Sequence, residues 1–236
     1  MTSTGERIRP PVAAHGPAAV DRVVARMRGI GAALPARDGV AVFNRVYLEV
    51  TEELGRRLDG GYFRDPAAAG ELAERFATRY LDALDAVAAG RSAPACWRPL
   101  FELRRHPSVR PLQFALAGVN AHIGHDLALA LVDTCRARDA EPAALEADFD
   151  RVGELLAGME ERIREELMPG PDLLDVADPL THVVGTWSLE RAREAAWAAF
   201  RTLWGLRGLP ELAAEFTERI DAGVGMVGRL LLTPLR

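Results

Sequence analysis

LQFALAGVNAHIGHDLALALV, running from Leu112 to Val132, decides the fold. Its apolar residues point in nearly every direction of the helical wheel, the pattern of a helix covered on all sides. Such a helix needs partners, and the rest of the chain supplies them. Apolar residues recurring with a 3.6-residue period predict helices over 17–34, 39–58, 66–89, 94–105, 110–137, 142–167, 188–206 and 210–231. Pro17, Pro66 and Pro142 suit first helical positions, where a missing N–H costs nothing, and Asp38, Asp65 and Ser188 suit N-caps. No segment alternates with period 2 between hairpin turns, so strands are not expected. The predicted fold class is all-α, a single-domain multi-helix bundle around the central buried helix at about 112–132.

Residues 1–16 read as a flexible N-terminal arm, and 17–236 as one helical domain. The stretch from Met168 to Trp187, with three prolines, reads as irregular chain covering one end of the bundle. With 49% hydrophobic and 27% charged residues, the 236-residue chain can bury a sizeable core without staples. All 29 of its basic residues are arginine, the net charge is −5, and no basic patch forms, which argues against nucleic acid as a partner. The N-terminus lacks an apolar secretory segment, and no uninterrupted apolar run approaches ~18 residues, so a cytoplasmic protein without a membrane span is expected. Cys96 and Cys135 stand outside any CxxC or zinc-ligand spacing and read as reduced thiols.

Polar residues inside the apolar helix are costly unless paired, which makes them the place to look for chemistry. At about 100° per residue, Gln113, Leu116, Asn120, Ile123, Leu127 and Leu131 share one face, and His122, His125, Asp126, Leu129 and Asp133 the other. His122 and Asp126, four residues apart, can meet as an acid–base dyad, as two metal ligands or as a satisfied buried pair. Gly118, one turn before His122, leaves either a cavity or room for a close helix contact. In the second helix Asn44, Tyr47 and Thr51 take core-facing positions, and in the third Tyr80 does. Arg193 interrupts the apolar stripe Leu189, Trp197, Phe200 and Trp204; a guanidinium there needs a carboxylate, for which Asp126 is the first choice. Each of these residues also has a purely structural reading, as a hydrogen-bonded core group. His15, His106, His125 and His182 read as surface or loop residues, although His182 could reach the site from the irregular stretch.

Other signals are absent. His122 and His125 lack the accompanying Glu-x-x-His of helical metal sites. The segment GVGMVG follows no strand, and neither Ser108 nor Ser188 sits in a GxSxG elbow. No cofactor is therefore expected.

The blocks FNRVYLEVT at 43–51, FATRYLDAL at 76–84, PLQFALAGVNAHIGHDLALAL at 111–131 and WSLERAREAAWAAFRTLW at 187–204 resemble an uncharacterised family, widespread in actinobacteria and known only as a domain of unknown function. The most specific part of the likeness is Asn120-Ala121-His122-Ile123 followed by His125-Asp126-Leu127. The resemblance implies a shared helical fold and carries no activity.

The residues point to a small enzyme of specialised metabolism that performs a cyclisation, isomerisation or elimination on a largely apolar molecule in a pocket between helices. His122 would move the proton, Asp126 would orient it, and Arg193 or Asn120 would stabilise oxyanion charge. Tyr47 would complete the catalytic set, with Asn44, Thr51, Tyr80, Trp97, Phe101, Asn120 and Trp197 around the substrate. Two alternatives use the same residues: a protein that binds an apolar ligand without turnover, and a metal-dependent hydrolase or oxygenase with His122 and Asp126 as ligands.

Overall fold

The computed structural model describes residues 17–167 and 188–234. The predicted N-terminal arm and the stretch from Met168 to Trp187, with His15 and His182, lie outside the described residues. Among the described residues eight helices pack together: α1 (Pro17–Ala33), α2 (Gly39–Asp59), α3 (Pro66–Ala88), α4 (Arg98–Leu103), α5 (Pro111–Arg138), α6 (Ala143–Leu167), α7 (Leu189–Gly205) and α8 (Pro210–Leu231). None of the described residues forms a strand.

The three predicted N-caps are formed. The Asp38, Asp65 and Ser188 side chains accept hydrogen bonds from the N–H groups of Val40, Ala68 and Arg191. Each satisfies a donor that the first turn leaves free, worth ~1 kcal/mol. Asp38 does more than cap: the Arg104 Nε donates to both of its carboxylate oxygens at 2.8 Å, fastening the end of α4 to the start of α2. The helix expected from residue 94 begins only at Arg98. The reason lies on α8, where Asp221 accepts from the N–H groups of Ala95 and Cys96 at 2.8 Å and holds that segment as a turn.

α5 is the axis of the bundle, and 78% of its most apolar window is buried inside the protein. Its length and hydropathy alone would suit a membrane span, so burial among the other helices is what accounts for its composition. It runs through two apolar clusters in succession. Its first half packs with Phe43, Tyr47, Tyr80 and Trp97; its second half, from Ile123 to Leu131, packs with Phe149, Phe200 and Leu203. A third cluster, with Val20, Leu54, Phe63 and Leu155, joins α1, α2, α3 and α6.

Gly118 marks a close helix contact: a Cβ there would lie 2.3 Å from the Phe43 ring. Two amides expected on the helix faces tie α5 to the C-terminal region. Gln113 donates to the carbonyls of Leu231 and Thr233, both at 2.8 Å, and Asn120 donates to that of Val224 at 3.0 Å.

Candidate active site

The join between the two apolar clusters is not α-helical. Over His122–Asp126 the chain makes a π-turn, in which the N–H of Leu127 reaches the carbonyl of His122, five residues back. A π-turn holds more residues than an α-turn, so side chains beyond it are rotated away from the positions a uniform 3.6-residue wheel gives them. Here it gathers three polar side chains around one carboxylate. Asp126 Oδ2 accepts from His122 Nδ1 at 3.0 Å and from the Trp97 indole N–H at 2.9 Å, while Oδ1 accepts from His125 Nδ1 at 2.8 Å. All four residues are buried.

Burial alone would raise the Asp126 pKa, but hydrogen bonds from His122 and His125 outweigh it and hold the carboxyl below its ordinary value. An ionised carboxylate only accepts hydrogen bonds, so each imidazole presents Nδ1–H to it. Burial also pushes the His122 pKa below its ordinary value, against the opposing pull of Asp126. His122 is thus a neutral imidazole whose Nε2 carries a lone pair. That Nε2 is the one buried side-chain polar atom without a hydrogen-bond partner among the described residues.

Its surroundings are aromatic. The His122 ring stacks on Phe76 with centroids 3.5 Å apart and an interplanar angle of 7°. Tyr47 meets it edge-on at 4.4 Å, with Phe43 and Trp97 just beyond. His122, Tyr47, Phe43, Phe76 and Val119 belong to the wall of a largely apolar cavity of ≈ 190 Å³. Among the described residues its polar contributors besides His122 and Tyr47 are Thr51, Asp148 and Arg193.

Of the residues singled out in the sequence, the structure therefore brings His122, Tyr47, Thr51 and Arg193 to one cavity, with Asp126 behind His122. The Tyr47 phenol is pushed far above its ordinary pKa, first by burial and then by the charge of Asp126, and stays protonated. The Thr51 hydroxyl donates to the Tyr47 carbonyl at 2.8 Å.

Arg193 does not pair with Asp126. Two histidines and an indole already fill that carboxylate, and the guanidinium instead donates to the Phe149 carbonyl and lies 4.4 Å over the Phe149 ring. Gly153 makes room for it, since a Cβ there would lie 1.9 Å from Nη1. No carboxylate of the described residues forms an ion pair with Arg193, whose pKa burial lowers despite the charges of Asp150 and Glu190.

The remaining candidates lie elsewhere. Asn44 donates to the Met27 carbonyl at 2.9 Å and accepts from the Tyr80 hydroxyl at 3.3 Å, a closed pair outside the cavity wall. Phe101 stacks on Trp97, and Trp197 packs against Phe149 and Phe200, also outside the wall. Asn120 is turned to α8 by its bond to Val224, which removes it as a donor for oxyanion charge at His122. His125 is the opposite correction. Read from the sequence as a surface residue, it is buried, because the π-turn swings it beneath α8.

The facing nitrogen and oxygen of His122 and Asp126 are engaged with one another as donor and acceptor. Potential metal-ligating atoms converge on the far side of Asp126, where one from each of Cys96, His125 and Asp221 lies within 4.8 Å of the others. No local spacing signals that group, which comes from a loop, the π-turn and α8.

No curated protein and no solved structure matches the chain. The profile of one family does match, and it takes in the π-turn, every helix that lines the cavity and the α8 contacts. Over residues 20–234 the chain belongs to DUF5995, a family of unknown function.

Proposed function

We propose that this protein is a small-molecule enzyme that uses His122 as a general base, backed by Asp126, on a mostly apolar substrate held in the cavity between α2, α3, α5 and α6. One observation carries the reading: a buried, neutral imidazole with Nδ1 committed to a carboxylate and Nε2 unpartnered, on the wall of a cavity. Leaving a buried polar atom without a partner costs ~1–3 kcal/mol, so natural cores rarely keep one. A substrate hydrogen would satisfy it.

The chemistry follows from the order of the groups. Nε2 removes a proton from a weakly acidic carbon or hydroxyl of the substrate, and Asp126 stabilises the imidazolium that forms. Returning that proton to another carbon completes an isomerisation; delivering it to the oxygen of a departing group completes an elimination, and delivering it to the carbonyl oxygen that the newly freed nucleophile attacks completes a cyclisation. Arg193, without a carboxylate partner among the described residues, lines the same cavity and would receive negative charge on a substrate oxygen. An apolar cavity of about 150 Å³ takes up a molecule the size of benzene. At ≈ 190 Å³ this one suits a single ring or a short branched chain bearing a carbonyl or carboxylate.

The test is proton exchange. Small cyclic and branched ketones and acids, incubated with the protein in deuterated water and followed by NMR, should exchange an acidic C–H for deuterium, and His122→Gln should abolish exchange without abolishing binding. Binding with no exchange by the unaltered protein would leave the non-catalytic alternative, an apolar-ligand carrier, in its place.

A further inference from the structure

On the opposite side of Asp126 from the cavity, the structure assigns a second site: we propose that Cys96, His125 and Asp221 bind a divalent transition-metal ion of the zinc class. The proposal goes beyond the acid–base reading and does not depend on it. The three ligand atoms lie within 4.8 Å of one another, and the His125 Nε2 to Asp221 Oδ1 distance is 4.0 Å. Zinc bonded to sulfur at ~2.3 Å and to nitrogen or oxygen at ~2.0–2.1 Å holds its tetrahedral ligand atoms roughly 3.3–3.7 Å apart. Closing the present arrangement onto an ion takes side-chain shifts of about an ångström or less, not a rearrangement of helices.

Three features make this more than an accident of proximity. His125 has the support that metal-ligating histidines usually have: its Nδ1 donates to Asp126 at 2.8 Å, which fixes the ring and leaves the Nε2 lone pair on the side of Cys96 and Asp221. The Asp221 carboxylate is positioned by the N–H groups of Ala95 and Cys96, both at 2.8 Å, and each of its oxygens keeps a further lone pair. Its one ion-pair neighbour among the described residues is His125 itself, so no arginine neutralises it. The backbone is drawn close as well, since a Cβ on Gly225 would lie 2.5 Å from the Ala95 carbonyl oxygen.

The donor set fits a borderline ion. One sulfur, one imidazole nitrogen and one carboxylate oxygen suit zinc, whereas magnesium and calcium prefer all-oxygen sites. Binding releases the Cys96 proton to solvent, so that thiolate and Asp221 together balance a charge of +2. The Asp221 side chain is 21% exposed, and a fourth position on that side is left to water. Through Asp126 the ion would sit one hydrogen-bonded carboxylate away from His122.

The experiment uses the full chain, stripped with a chelator and titrated with Co²⁺ as a spectroscopic substitute. One Co²⁺ per chain is expected, with the intense visible bands of four-coordinate cobalt and a thiolate-to-cobalt charge-transfer band, both erased by one equivalent of Zn²⁺. Cys96→Ser should remove the charge-transfer band, and Asp221→Asn should weaken Co²⁺ affinity at least tenfold. Cys135→Ser and His122→Gln should leave both unchanged. Far-ultraviolet circular dichroism checks each variant for folding; if Cys96→Ser does not fold, Zn²⁺ must raise the melting temperature of the unaltered protein and not that of Asp221→Asn. A cobalt spectrum without charge transfer, a band that persists in Cys96→Ser, or a zinc-induced shift equal in Asp221→Asn would overturn the assignment.

Discussion

The two histidines of the π-turn share one carboxylate and meet opposite surroundings. His122 leaves Asp126 for an apolar cavity, packed between Phe76 and Tyr47, and its second nitrogen has no hydrogen-bond partner among the described residues. His125 leaves the same carboxylate for a polar pocket, where Cys96 and Asp221 stand within reach of its second nitrogen. The residue type and the orienting bond are the same; only what the neighbouring helices place beyond the ring differs. A histidine held by an aspartate is therefore not a function in itself. On the two readings proposed above, the cavity would make a base of one, and the convergent ligand atoms would make a metal-binding group of the other.

The largest test of this comparison removes its shared element. Asp126→Ala strips three buried donors of their acceptor at once and is expected to destabilise the fold by ~3–5 kcal/mol, measured by urea unfolding. It should damage both sides together, lowering proton exchange and Co²⁺ binding in any fraction that folds. A loss confined to one side would show that the two histidines are held independently.

Gly118→Ala acts on one side only. The new methyl must displace the Phe43 ring, which stands edge-on to His122, at an expected cost of ~1–3 kcal/mol. Co²⁺ binding should survive it while ligand binding in the cavity weakens; the reverse pattern would break the separation of the two sites.

The dependence on pH is smaller and signed. Because burial holds His122 below its ordinary pKa, the unfolded chain takes up a proton near pH 6.5 that the folded protein refuses. Stability is therefore full above about pH 6.5 and falls as the pH drops below it, by at most about 1.4 kcal/mol per pH unit for this group. Asp126, also held low, adds a loss in the same direction at more acidic pH. His122→Gln keeps a donor for Asp126 but does not titrate, so its urea midpoint should vary less between pH 7.5 and pH 5.5. An unchanged slope would mean that His122 is not the buried neutral group.

The smallest effect is expected at Asp133, two turns along the same helix. Its ion pair with Arg79 is partly exposed, and Asp133→Ala should cost no more than ~1 kcal/mol. Equal losses for Asp133→Ala and Asp126→Ala would contradict the burial and pairing described for Asp126.

Much of this architecture was legible beforehand because it depends on neighbours along the chain. Helices follow from apolar periodicity, and their starts from Asp38, Asp65 and Ser188, each of which bonds an N–H within three residues of itself. The apolar belt from Leu112 to Val132 required a covered helix, and the meeting of His122 with Asp126 needed only a spacing of one turn. Asn44 and Tyr80 were recognised as core polar groups, but what they bond belongs to other helices, and that is what closes them off from the cavity.

What tertiary structure alone decided is the phase of α5 after residue 122 and the identity of the groups it meets. A helical wheel assumes a constant twist, and the π-turn breaks it at the join of the two apolar clusters, where His125 is buried rather than exposed. Arg193 misses Asp126 for a different reason: Trp97, His122 and His125, from two separate parts of the chain, already fill that carboxylate. The convergence of Cys96, His125 and Asp221 joins parts of the chain with no local spacing to betray it. The sequence by itself determined the helices, their caps, the central one and the His122–Asp126 pair, because those are set by short-range geometry. Which imidazole nitrogen stays unpartnered, and what lies in front of it, was decided by packing, because that depends on side chains brought together from α2, α3, α4, α5 and α8.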